Sequence, residues 1–318
     1  MQFGRLDTLP EELPLPPEDP VTTELLRESA SSGADGTSAA VPEEPTVRIG
    51  LSTWGEDKYR GPVYPPETPK RDYLRAYAAR FSTVELAGTF YGIPPVERLR
   101  AWSAAVPEDF RFLPKLSRGV THRRKAALED PEGQERQAAE LRSFADRLAG
   151  LGDRLGPMLL QMSPRFAPRP ENLAFLRQAT AVLGRRAAVE LRNGAWFTAV
   201  AARRELIALL RESEAPLVVT DTPGAREVVH GILTAPVLVL RFVTAGAPGL
   251  DGRRARAWVA RIRDWMDRGL SEAYLYMHLG NDPAGSMHVL ETFEEGLSEA
   301  RVSRAPAREA GQLRLFEE

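Results

Sequence analysis

From residue 46 onwards, short apolar runs alternate with stretches that carry apolar residues at every third or fourth position. The runs are rich in Val, Ile and Leu without strict alternation, which is typical of strands covered on both faces. The stretches between them, such as the one with Leu74, Tyr77, Ala78 and Phe81, predict amphipathic helices. We expect eight strands, over 47–54, 82–86, 110–115, 158–162, 187–192, 217–221, 237–242 and 273–277.

This alternation predicts an α/β protein with a single TIM-type (β/α)8 barrel, because eight strand and helix pairs over about 250 residues have the size of that fold. A doubly wound open sheet has the same alternation and remains the alternative. Polar residues favour the barrel, since one stands at or near the C-terminal end of each strand. In a barrel these ends converge on one mouth, where barrel enzymes carry their active sites.

Composition changes at both ends of the predicted barrel, which we place at 46–297. Residues 1–45 are rich in Pro, Glu, Ser, Gly and Ala, so we expect a flexible, disordered extension with at most a short helix over 22–27. Such a composition buries too little apolar surface to offset the entropy lost on folding. Residues 298–318 are predicted to form a short C-terminal tail.

Composition and charge narrow the class of protein. A hydrophobic fraction of 43% over 318 residues is enough for a large core. A net charge of -2 argues against a protein that coats nucleic acid with its whole surface. The chain has no cysteine, which excludes disulfides and thiolate chemistry and fits the reducing cytoplasm. No apolar run approaches the roughly 20 residues that cross a bilayer, so we expect a cytoplasmic protein without a membrane partner.

Charged side chains near the strand ends are the candidate catalytic groups. If they share one mouth, carboxylates and cations shift one another's pKa and suit proton transfer or binding of an anionic substrate. A lysine there can stabilise charge, act as a base once desolvated or form a Schiff base, and arginines bind phosphate or carboxylate groups. The alternative is a structural lattice of ion pairs that closes the barrel. The candidates are Glu85, Lys115, Glu190, Arg192, Asp221 and Arg241.

A second set of residues is predicted to bind the substrate. Polar side chains near strand ends are suited to hydrogen bonding, and aromatic side chains just beyond strand ends can stack on a base or sugar. Packing at the rim is the alternative for the aromatic residues, and a surface role is the alternative for His122. The set comprises Ser52, Trp54, Tyr91, His122, Gln161, Trp196, Asn281 and Asp282.

Several motifs at these strand ends are specific in combination, although each is weak alone. They are IGLSTW with GPVYP, TVELAGTFYGIP, FRFLPKLSRGVTH, LGPMLLQMSPRF and AVELRNGAW, followed by the Asp221 strand, LVLRF and the GND turn. Together they resemble the DUF72, or YecE-like, family of uncharacterised bacterial and archaeal proteins over roughly 47–297. The resemblance implies a TIM-type barrel, and it implies no settled biochemical activity.

The chain departs from the pattern of that family at three places. The family usually has His-Pro-Ser where this chain has Asn-Gly-Ala at 193–195. Val243 stands where the family commonly has a histidine, and the turn at 281–282 lacks the usual second asparagine. A histidine general base at either of the first two places is therefore not available in this chain.

The motifs indicate no cofactor. The chain has no P-loop and no GxGxxG, so a nucleotide cofactor is unsupported. His230, His278 and His288 are scattered without the spacing of metal ligands, and we assign no metal site. Binding of a divalent metal, Mg²⁺ or Mn²⁺, by some of the carboxylates remains an open alternative.

The C-terminal tail carries a motif with a different implication. Its QLRLF resembles the QLxLF pentapeptide by which bacterial repair and replication proteins bind the sliding clamp. The resemblance implies that Gln312, Leu313, Leu315 and Phe316 contact the clamp. The alternative is a final helical turn that packs these apolar side chains on the barrel.

We therefore expect an enzyme with acid/base or hydrolytic chemistry on an anionic small molecule, a class that includes phosphate-bearing and nucleic-acid-derived substrates. A hydrolase is one candidate. The alternative is a non-catalytic barrel that binds a ligand or nucleic acid and is recruited to the sliding clamp through its tail. The missing histidines favour the binding protein, whereas the retained Glu, Lys and Arg residues favour the enzyme.

Overall fold

The computed structural model describes residues 6, 8–34, 45–122, 131–280, 282–298 and 301–302. Each apolar run that predicts a strand contains one, and these strands are buried almost throughout, which explains their lack of alternation. The strands are β1 (Thr46–Leu51), β2 (Thr83–Leu86), β3 (Arg111–Pro114), β4 (Met158–Gln161), β5 (Ala187–Glu190), β6 (Val219–Asp221), β7 (Val237–Val243), β8 (Glu272–His278) and β9 (Arg301–Val302).

Helices alternate with the strands, as the apolar periodicity predicts. Proline is the first residue of five of them, where a missing N–H costs nothing, and Gly184 follows the end of one of them at φ 59°. The helices are α1 (Pro20–Ala34), α2 (Tyr73–Ala78), α3 (Val96–Ala104), α4 (Arg118–Thr121), α5 (Pro131–Leu148), α6 (Pro170–Leu183), α7 (Ala195–Thr198), α8 (Val200–Glu212), α9 (Pro248–Asp267) and α10 (Pro283–Gly296).

The strands form a mostly parallel central sheet, which confirms the predicted α/β class. Six strands pair in the order β3-β2-β1-β8-β7-β6, and β9 pairs with the start of β1. β4 and β5 form a separate parallel pair. Two isolated parallel bridges lie between these sheets. Lys115↔Leu159 joins the residue after β3 to β4, and Val189↔Leu217 joins β5 to the segment before β6.

Buried side chains form two groups. The larger group lies mainly between strands and helices. The smaller one, which we call the inner cluster, draws its fully buried members from strands β3, β4, β5, β7 and β8 and from the residue before β6. Its members are Leu113, Leu159, Ala188, Val218, Val239, Tyr274 and Tyr276.

The N-terminal segment, residues 8–34, corrects the expectation of a disordered extension, because it packs on the rest of the chain. Thr22 is fully buried, and its hydroxyl donates to the Gly231 carbonyl and accepts from the Leu233 amide, at 3.0 and 2.8 Å. Leu26 is also fully buried in α1, which contains the short helix predicted over 22–27.

Specific polar contacts also hold this segment. Glu18 accepts hydrogen bonds from Trp265 Nε1 at 2.7 Å and from both terminal nitrogens of Arg268. The carbonyl oxygens of Pro14 and Pro16 accept from arginines of the body. The average composition of the segment does not predict this packing, because individual residues make the contacts and their partners lie far away in the sequence.

Two further observations concern the chain ends and membranes. The tail motif at 312–316 lies outside the described residues. Among the helices of the described part of the chain, none combines the length and apolar character needed to cross a membrane.

We expect Glu18→Ala to destabilise the fold by about 1–3 kcal/mol at neutral pH, because Trp265 and Arg268 lose their acceptor. The hydrogen bond from Arg268 lowers the pKa of Glu18 from 4.5 to about 2. A lowered pKa stabilises the fold above the unfolded value, and this contribution is lost as the pH falls from 4.5 towards 2. Urea unfolding over a pH series should therefore show the difference between wild type and variant shrinking in that range.

Glu12→Ala is the matched control, because Glu12 is an exposed glutamate of the same segment. It should leave the unfolding midpoint unchanged. Equal effects of the two variants would contradict a specific role of Glu18.

Candidate active site

Three buried side chains from strands that do not pair with one another meet near the C-terminal ends of those strands. Arg241 of β7 donates from Nε and Nη2 to the two carboxylate oxygens of Glu85 on β2, both at 3.1 Å. Its Nη1 donates to Glu190 Oε2 on β5 at 2.8 Å. None of the three residues is more than 2% exposed. These ion pairs therefore bring three separate strands to one point, as predicted for these residues.

The network extends from Glu190 to three more candidates. Arg192 Nε donates to Glu190 Oε1, and Gln161 Nε2 donates to Glu190 Oε2, both at 2.7 Å. Lys115 Nζ donates to Gln161 Oε1 at 2.7 Å. We call these six residues, Glu85, Lys115, Gln161, Glu190, Arg192 and Arg241, the mouth network. It contains three cations and two carboxylates, so positive charge is in excess.

The two glutamates of the network are held in their ionised forms. Burial by itself would raise the pKa of Glu85, but the Arg241 guanidinium and His278 outweigh it and hold that pKa well below its usual range. Burial likewise opposes ionisation of Glu190, yet Arg192 and Arg241 lower its pKa to about 2. Neither carboxylate is therefore a proton donor near neutral pH.

Lys115 has a different environment. Its ammonium group lies 4.3 Å from the centroid of the Phe90 ring and donates to the neutral amide of Gln161. Among the described residues, no carboxylate oxygen lies within 4.0 Å of Nζ. Burial lowers the pKa of Lys115; the Arg241 and Arg192 charges add to this, and Glu85 opposes it. Lys115 is therefore the network residue best suited to release and accept a proton.

Two histidines lie beside the network. The His122 ring packs edge-on against Phe90 at 5.2 Å, and its Nδ1 lies 2.8 Å from Thr121 Oγ1. Burial, followed by Lys115 and neighbouring arginines, lowers the pKa of His122. His278, which the spacing of the histidines did not indicate as a site residue, has its Nε2 3.3 Å from Glu85 Oε2 without the geometry of a hydrogen bond. Its position as the last residue of β8 was the signal that could have identified it.

Asp221 is not part of the mouth network, which corrects the expectation that it faces the same mouth. Its carboxylate accepts from Trp258 Nε1 at 2.8 Å and pairs with Arg254 Nη2 at 3.1 Å, both on α9. The register explains this, because Asp221 lies beside Phe242, whereas Thr220 lies beside Arg241. Successive strand residues point to opposite faces, so a shift of one position directs the carboxylate towards the helices.

The predicted binding residues occupy varied places. Trp54 packs edge-on against Trp102 at 5.0 Å. Trp196 is 1% exposed and donates to the Phe166 carbonyl, so both tryptophans pack against neighbouring residues at the rim. Tyr91, by contrast, is 85% exposed.

The remaining predicted binding residues are Ser52, Asp282 and Asn281. Ser52 is partly buried just after β1. Asp282 caps α10 by accepting from the Gly285 amide at 2.9 Å. Asn281 lies outside the described residues. In the part of the chain that is described, no group of three or more His, Asp or Glu side chains is arranged to hold a metal ion.

These features define an α/β protein with a buried charged network near the ends of parallel strands. The chain belongs to the family described as "Protein of unknown function DUF72", whose family model matches residues 48–311. This confirms the resemblance carried by the strand-end motifs. The family description states no activity.

Two curated relatives agree with this assignment. The chain is 25% identical over 272 residues to the UPF0759 protein YecE of Escherichia coli K12, a match that covers 79% of this chain and 92% of that protein. It is 32% identical over 153 residues to the UPF0759 protein YunF of Bacillus subtilis. The second match covers 48% of this chain and spans only about half of YunF, 52%.

Solved structures of the family share the fold. A DUF72 family protein from Enterococcus faecalis superposes with a TM-score of 0.63 at 21% identity, covering 83% of this chain and 99% of that chain. One from Thermotoga maritima gives a TM-score of 0.59 at 22% identity, covering 80% and 99%. At these identities the comparison establishes the fold alone.

We expect Glu190→Gln to lower the stability by about 3–5 kcal/mol, because it leaves the buried Arg241 and the adjacent Arg192 without their shared charge partner. Lys115→Met should change the stability little, because its amine has only an amide and a ring as partners. Thermal and urea unfolding of both variants tests this difference. Glu97→Gln, at an exposed glutamate of α3, is the control. A large loss for Lys115→Met as well would identify the whole network as a structural lattice.

Proposed function

We propose that this protein is an enzyme that performs acid/base chemistry, including hydrolysis, on an anionic small molecule. The observation that carries the proposal is the environment of Lys115. Its amine has neutral partners beside two glutamates whose charges are already paired with arginine. A desolvated lysine in a charged site is a suitable base or electrostatic stabiliser. We place the activity in the reducing cytoplasm, because the chain has no cysteine.

The proposed enzyme is an eight-stranded barrel. The isolated bridges continue the parallel pairing from β3 to β4 and from β5 to β6, where the two sheets would otherwise be separate. The inner cluster draws side chains from β3, β4, β5, β7 and β8 and from the residue before β6, which supports the filled interior of a small barrel. In a closed barrel of eight strands, the mouth network would lie at the C-terminal face, where barrel enzymes have their active sites.

An anionic substrate is favoured by the charge balance of the network. The guanidinium of Arg241 is paired with both glutamates. The less buried cations of the network, Lys115 and Arg192, therefore supply the positive charge for a substrate. Phosphate and carboxylate groups are the natural ligands of such a pair. Phosphate-bearing and nucleic-acid-derived molecules therefore belong to the proposed substrate class.

The glutamates act as positioning residues in this proposal. Since their pKa values are lowered, they stay ionised and hold Arg241, Arg192 and Gln161 in place. Gln161 in turn holds the Lys115 amine. Lys115 is the group that exchanges a proton with the substrate or with an attacking water.

Thermal unfolding in the presence of inorganic phosphate, a phosphate monoester and a dicarboxylate tests the substrate class. A ligand present at a hundred times its Kd should stabilise the wild type by about 2.7 kcal/mol. Lys115→Met should abolish that shift, whereas Lys70→Met should keep it, because Lys70 is exposed and paired with Asp57. A shift that Lys115→Met leaves intact would contradict the proposed site. Saturable binding without turnover would favour the non-catalytic alternative.

We also propose that the tail recruits the protein to the bacterial sliding clamp, on the basis of the QLRLF sequence at 312–316. Short peptides dock through a few apolar anchors, here Leu313, Leu315 and Phe316, with Gln312 as the polar contact. Fluorescence anisotropy of a labelled 308–318 peptide with purified clamp should show modest affinity. The double variant Leu315→Ala/Phe316→Ala should not bind, and equal binding of both peptides would overturn the assignment.

A further inference from the structure

Lysine is rare in this chain, which contains four lysines and thirty-eight arginines. Lys58 and Lys70 are exposed, and Lys125 lies outside the described residues. Lys115 is the described lysine that is partly buried, and it lies in a network that already contains two arginines. A need for positive charge alone would be met by arginine, which the chain uses almost everywhere. The amine therefore supplies a property that guanidinium lacks, namely a deprotonated, nucleophilic nitrogen.

The contacts of Lys115 are compatible with a neutral amine. An ion pair with a carboxylate would require the ammonium form, but a hydrogen bond to the Gln161 amide oxygen is also made by an uncharged N–H. Gln161 is itself fixed, because its Nε2 donates to Glu190. The nitrogen is therefore held in position while its lone pair remains available for a substrate.

The Phe90 ring is suited to the product of an attack by this nitrogen. Its face lies 4.3 Å from Lys115 Nζ, a distance typical of a cation–π contact. An iminium ion carries its positive charge on the same nitrogen that carries it in the ammonium form. The ring would therefore stabilise a protonated Schiff base as well as the free ammonium group.

We propose that Lys115 forms a Schiff base with a small aldehyde or ketone that carries an anionic group. The amine nitrogen attacks the carbonyl carbon, and a proton passes from nitrogen to oxygen to give a carbinolamine. Loss of water then leaves a carbon–nitrogen double bond, so no oxidant or other co-reactant is needed. The Arg192 guanidinium supplies the charge that attracts the anionic group. This inference rests on the proposed anion site and narrows its substrate to carbonyl compounds.

Reductive trapping tests the inference on the full-length protein. The experiment would use glyoxylate as the anionic aldehyde and cyanoborohydride to reduce any iminium, and peptide mass spectrometry would locate the stable adduct. Labelling of Lys115 should be several-fold faster than labelling of Lys58 and Lys70 in the same molecules. These two lysines are internal controls, so the test does not depend on the folding of a variant. Uniform labelling of the three lysines would overturn the proposal.

Two variants separate this inference from the proposed function. Lys115→Arg should lose the adduct but keep the anion-dependent stabilisation, because the charge remains and the nucleophile does not. Lys58→Arg should keep both. If anions stabilise the wild type through Lys115 but no adduct forms there, the Schiff base is wrong and the anion site stands. If no anion stabilises the protein, the proposed function itself is wrong.

Discussion

The pairing of one buried arginine with two buried glutamates is the constraint on which the site depends. Arg241 is 1% exposed, and its guanidinium is stable in that position only because Glu85 and Glu190 accept from it. The three residues lie on β2, β5 and β7, so the ion pairs also fix the relative positions of strands that share no backbone hydrogen bonds. Fold and site therefore depend on the same contacts.

This pairing gives the glutamates and the lysine of the network different roles. A carboxylate whose charge is balanced by arginine stays ionised and positions its neighbours, whereas a lysine without such a partner keeps a proton that it can release. The chain has no histidine at 193–195 after β5 or at position 243 in β7, and His278 of β8 lies next to Glu85. In the chemistry we propose, Lys115 is therefore the base.

Much of this arrangement could be predicted from the sequence, because strand ends in an α/β fold lie together and the charged residues mark those ends. Glu85, Glu190 and Arg241 were found in that way. The orientation of Asp221 could not be, since it depends on a register of one residue between β6 and β7. The packing of residues 8–34 could not be predicted either, because Glu18 meets Arg268 across 250 positions, a separation that local composition does not reveal.

That separation has a consequence for synthesis. Residues 8–34 have their partners in α9 and around Gly231, which are synthesised much later than this segment. Until those residues are synthesised, the segment cannot make its native contacts, and contacts between residues far apart in the sequence form slowly. A stretch rich in proline and acidic residues is well suited to that delay, because it has little tendency to aggregate while exposed. The composition of the segment therefore limits aggregation of the unfolded chain, whereas a few residues, among them Glu18 and Thr22, hold the segment in the folded protein.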